Sequence, residues 1–141
     1  MALGDRVEDP QFHIELDSDQ SIVRTANVTV QTVADVDRYI VALSQMLDRA
    51  RRNFGRALVL ADLRAAPVRS QDVAERLHAH NLTLYRPGER VALLVESSLL
   101  KLQLRRNLVA DLQNIFMSEN AAITWLRAAL YDREAFNASR P

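Results

Sequence analysis

The chain has 141 residues, 18 basic and 18 acidic side chains, 48% hydrophobic residues and no cysteine. That length fits one domain whose core needs no disulfide or metal as a staple. The charge balance argues against a dedicated nucleic-acid binder, and the lack of cysteine excludes thiol catalysis and cysteine-ligated zinc.

Residues 1–10 are polar and read as a flexible lead-in. Met1 to Arg6 carries no basic segment followed by an apolar run, and no window is apolar enough to span a bilayer, so a cytoplasmic protein is expected. Phe12, Ile14 and Leu16 alternate with His13, Glu15 and Asp17, the pattern of a half-buried strand. After turn residues 17–20, Ala26, Val28 and Val30 alternate with Asn27, Thr29 and Gln31, which predicts a second strand pairing antiparallel with the first.

Thr32 is a good N-cap, with Asp35 placed to complete a capping box. Val33, Val36, Ile40, Leu43, Leu47, Ala50 and Phe54 then fall at three- and four-residue steps, which predicts a helix ended by Gly55 as a left-handed residue. Ala57 to Leu63 is a continuous apolar run closing on Asp62, the signature of a parallel strand buried on both faces. Pro67 breaks the following loop, and Ser70 caps a helix to about Tyr85, with Val73, Leu77, Asn81 and Leu84 inward. Arg86 to Glu89 is a turn, and Arg90 to Val95 a second buried strand. A third helix is expected over 98–112 on the row Leu100, Leu104, Leu108 and Leu112. Asn114 to Met117 reads as a last strand, and Ser118 caps a helix with Ala122, Trp125, Leu126 and Ala129 inward.

The expected fold is therefore α/β: a single mixed β-sheet of four to five strands with about four helices, in the order β-β-α-β-α-β-α-β-α. The domain is expected over 11–133, with 134–141 a frayed tail.

Three stretches carry a family likeness. They are Leu58 to Leu63 running into Ser70, Arg90 to Val95 followed by a leucine-rich helix, and Phe116 to Leu126 with its Ala-Ala-Ile-Thr-Trp-Leu close. In this order they resemble the SpoIIAA-like branch of the STAS domain superfamily, related in shape to CRAL-TRIO lipid-transfer domains. In the anti-sigma-factor antagonists of that superfamily, a serine opening the helix after the central strand is phosphorylated, within an Asp-Ser-Ser-Gly-like motif. The matching place reads Arg69-Ser70-Gln71-Asp72, so only Ser70 corresponds. The resemblance implies a phosphosite at Ser70 and a partner-switching role. For the SpoIIAA-like branch it implies ligand binding or membrane association.

Individual residues narrow the chemistry. His78 and His80 lie two apart and so point to different faces of a helix, which disfavours metal binding. The three glycines, at 4, 55 and 88, allow no phosphate-binding loop, and no Gly-x-Ser-x-Gly elbow is present. Asp62 is expected to accept loop amide hydrogens rather than act in acid–base chemistry. A non-catalytic binding module is expected, with no cofactor and no metal. Its cleft would lie between loop 64–70 with the helix after it and the helix 98–112. Leu63, Val68, Val73, Leu77, Leu100 and Leu104 would contact an apolar or amphiphilic guest such as a lipid, and Arg64, Arg69 and Arg105 would hold an acidic head. Peripheral membrane contact, a protein partner engaged through Ser70 and a homodimer are the further expectations.

Overall fold

Side-chain alternation along the two most apolar strands fixes the layering. In β4 (Leu58–Asp62), Val59 and Ala61 face one side while Leu58 and Leu60 face the other. In β5 (Arg90–Leu94), Val91 and Leu93 oppose Ala92 and Leu94 in the same way. A strand covered on both faces has no wet side, so its sequence reads as an unbroken apolar run. The structure, a computed structural model, describes residues 5–26 and 28–138, with 132–138 entering as helix backbone only.

The remaining strands are β1 (Arg6–Asp9), β2 (Phe12–Asp17), β3 (Ile22–Ala26) and β6 (Gln113–Phe116). The sheet has six strands in the order β1-β2-β3-β4-β5-β6. The first two pairings are antiparallel and the last three parallel. Each parallel crossover steps to the next strand in the same direction. With a common handedness, their helices must then share one face. These helices are α1 (Val33–Phe54), α2 (Gln71–Leu84) and α3 (Ser98–Arg106), and they close the larger core. The last helix, α4 (Glu119–Ala138), covers the opposite face, where Ala122, Leu126 and Ala129 pack on Ile22, Leu58, Leu60, Ala92 and Leu94. Two arginines clamp it there: Arg56 donates to the Ala129 carbonyl at 2.8 Å, and Arg90 to that of Trp125 at 2.8 Å.

The helix starts follow their caps. Thr32 and Asp35 form a complete capping box at α1, and Gly55 closes that helix at φ 85°. Ser70 caps α2, Ser97 caps α3, and Ser118 accepts from Ala121 N at the head of α4.

Three expectations need correction. Six strands are present rather than four to five, because Arg6–Asp9, expected as a loose lead-in, pairs with β2. The second strand of the opening hairpin is Ile22–Ala26, not 26–31. Ile22 faces α4 while Val23 faces α1, so this strand shows no alternation to read. Val28 and Val30 are instead buried from a connector that ties back to Gln11 through Thr29. The third helix stops at Arg106 rather than 112. The chain turns through Asn107 and Asp111, the latter at φ 67°, and Leu112 stays buried without being helical. At the C-terminus α4 runs to Ala138, and 139–141 of the expected tail lie outside the described residues.

Candidate functional site

β4 lies inside the sheet, and its carboxyl end runs into a loop governed by Asp62. That carboxylate accepts from the Arg64 backbone N at 3.2 Å and from the Arg64 guanidinium at 3.0 and 2.8 Å. The Arg64 contact, aided by the amide, holds Asp62 below its ordinary value. The loop then delivers Arg69 against α3, where the Gln103 side chain grips the backbone of residue 69 from both sides. Gln103 Oε1 accepts from Arg69 N at 2.9 Å, and Gln103 Nε2 donates to Arg69 O.

Behind this clasp is a cavity of about 70 Å³ between the sheet and the helices. α2 makes its main contact with α1, and it buries only Val73 and Leu77. It therefore leaves space above β4 and β5. The floor of that space is Val59, Ala61 and Leu63 with Val91 and Leu93. One wall is Tyr39, Ile40 and Leu43 of α1. The other is Leu77, His78 and Asn81 of α2, with Gln103 and Leu104 of α3 closing the end.

Some lining polar groups are occupied and others are not. Gln103 holds the loop, and Gln113 Oε1 accepts from Val109 N at 3.0 Å. His78 Nδ1 lies 2.9 Å from the Asn107 carbonyl oxygen and donates to it. Among the described residues, the Tyr85 hydroxyl and the Asn81 amide make no side-chain hydrogen bond within the protein. The Arg69 guanidinium lines the cavity, and no carboxylate pairs with it among those residues. Burial pushes it down from its ordinary value, and the nearby Tyr39 hydroxyl opposes this only slightly. Burial also pushes the hydroxyls of Tyr39 and Tyr85 up, so both remain protonated donors. Thr25 Oγ1 is buried without a hydrogen bond of ordinary geometry, although it is near enough to Tyr39 to ease that hydroxyl's ionisation.

Of the residues expected at a cleft, Leu63, Arg69, Leu77 and Leu104 line the cavity. Val73 and Leu100 are buried in the adjoining core and do not reach it, because each sits one turn nearer its helix start. Arg64 is turned to Asp62, and Val68 and Arg105 face solvent. Ser70 is exposed, its Oγ 3.5 Å from Val73 N. His78 and His80 diverge as their spacing requires, the first toward Asn107 and the second toward Asp37 at 3.1 Å. Among the described residues, no cluster of acids and histidines has the arrangement to hold a metal ion. None of their helices is long and apolar enough to cross a membrane.

Sequence reasoning missed Tyr39, Tyr85 and Gln103. Asn81 carried a readable signal: an amide standing where α2's apolar row would place another leucine. Comparison with protein-family models, with curated proteins and with solved structures gave no match.

Proposed function

We propose that this protein is a non-catalytic binding module for a small amphiphilic molecule with an anionic head, similar in role to the SpoIIAA-like proteins its sequence resembles. One observation carries the reading: a guanidinium with no carboxylate partner among the described residues lines a cavity whose floor is apolar. Desolvating a cation without a counter-charge is unfavourable. An anionic guest with an apolar body would supply the missing charge and fill the hollow. The test is amide chemical-shift mapping by NMR with a library of anionic, neutral and cationic fragments. Anionic fragments should move the amides of Leu63, Leu77 and Leu104, and Arg69→Gln should abolish the response. Shifts clustered elsewhere, or full binding by the variant, would sink the reading.

A second reading, contact with an anionic membrane surface, rests on the outer flank of α3. Leu99 and Leu102 are 69% and 57% exposed beside Val68 at 51%, with Lys101, Arg105 and Arg106 on the same short helix. Exposed apolar groups rimmed by basic ones suit that surface. Co-sedimentation with vesicles containing anionic lipid, lost on Leu99→Ser with Leu102→Ser, is the expected result. Protein left in the supernatant removes this reading and leaves the cavity untouched.

A further inference from the structure

The cavity's charge and size restrict its guest more narrowly than the words anionic and amphiphilic do. We infer that the site takes a short-chain monocarboxylate, its carboxylate on Arg69 and its tail of three or four carbons in the hollow between β4, β5 and α2; this rests on the reading of the cavity as a binding site.

Arg69 is the lone guanidinium among the described lining residues, and no lysine joins it there. One cation matches one negative charge. A phosphate dianion would bring a second charge against an apolar floor with one cation to balance it. The neighbouring start of α2 does not make up the difference, because its first turn carries Asp72, an acid that opposes a second negative charge. A planar guanidinium also fits a planar carboxylate with two parallel hydrogen bonds. The Tyr39 hydroxyl, close enough to Arg69 to act on its charge, is a neutral donor for the carboxylate's remaining lone pairs.

Volume sets the tail. A cavity of about 70 Å³ is roughly half the ~150 Å³ apolar cavity that admits benzene. Three or four carbons fill it. A long acyl chain overruns it, and acetate leaves the floor of Val59, Ala61, Leu63, Val91 and Leu93 uncovered.

Isothermal titration calorimetry on the full chain separates the alternatives. The probes are butyrate, isovalerate, acetate, decanoate, inorganic phosphate, butylammonium and butanol. Butyrate and isovalerate should bind more tightly than acetate or decanoate, with phosphate and butylammonium silent. Arg69→Gln should weaken butyrate by about tenfold or more, the usual scale for losing a charge-assisted pair. Arg69→Lys, which keeps the charge without the fork, should fall between. Leu104→Phe, which narrows the hollow and leaves Arg69 in place, should shift preference toward acetate. Phosphate binding that matches butyrate and depends on Arg69 would overturn the carboxylate assignment and leave an anion site standing. Butanol binding as tightly as butyrate, unchanged by Arg69→Gln, or silence from every probe, would overturn both.

Discussion

Arg51 on α1 reaches 38 residues along the chain to embrace Glu89, donating from Nε at 3.0 Å and from Nη2 at 2.6 Å. The same carboxylate accepts from Ala57 N at 2.6 Å and Arg86 N at 2.8 Å. One buried acid thus ties together the end of α1, the entry to β4 and the turn before β5. Glu89 is 2% and Arg51 10% exposed at the side chain, so removing the acid leaves a buried cation with only Asp48 and the Leu84 carbonyl and strands two amides. Glu89→Ala should cost about 3–5 kcal/mol, a fall in Tm on the order of 10 °C, read by thermal unfolding.

That acid also shapes the pH response. Burial alone would raise Glu89, but Arg51 and the two amides outweigh it and hold the carboxyl below its ordinary 4.5. A depressed folded value means its stabilisation is fully present above the unfolded value and is lost as pH falls through the folded one. Asp17, held down by Arg24 and Gln20 despite partial burial, acts in the same direction. Stability should be flat near neutrality and decline below about pH 4.5. Glu89→Gln should flatten that decline, measured as urea midpoints across pH 3–7. An unchanged acid limb in the variant would show that Glu89 does not control it.

Neighbouring leucines on α3 should behave oppositely. Leu100 is fully buried in the core, whereas Leu102 is 57% exposed. Leu100→Ala should destabilise by about 2–5 kcal/mol, and Leu102→Ala by no more than about 0.5 kcal/mol. Chemical denaturation reads both. Equal effects would mean that α3 is rotated from the orientation described.

Ser70 distinguishes a cap from a switch. Its Oγ lies 3.5 Å from Val73 N, a long contact, so Ser70→Ala should cost only about 0.5 kcal/mol. Phosphate on Ser70 in cell extracts, together with a partner lost on Ser70→Asp, would support the partner-switching alternative. Partners retained by both variants would leave the cap alone.

What the sequence disclosed was mostly local. Thr32 with Asp35, Gly55, Ser70 and Ser118 announce helix ends because the chemistry sits within four residues of each boundary. β3 did not announce itself, because burial of both Ile22 and Val23 erases the period of two. The leucine row on α3 overran its helix because Leu108 and Leu112 keep packing against the same core after the chain turns at Asn107. Periodic burial persisted where helical geometry had ended. At the cavity, three arginines were equivalent on paper. Asp62 two residues upstream settles Arg64, but only the clasp of Gln103 on residue 69, 34 positions distant, brings Arg69 to the hollow. Long-range pairing of that kind leaves no trace in residue spacing.

The short β1 strand has a consequence for how this protein meets others of its kind. β2 carries Phe12, Ile14 and Leu16 inward, and without a neighbour its outer ladder of amides and carbonyls would be open to any passing extended chain. Arg6–Asp9 occupies that ladder with a segment holding Arg6, Glu8 and Asp9, charged groups that discourage a further strand from adding in turn. Four residues thus cap the rim of the sheet and guard it against edge-to-edge self-association.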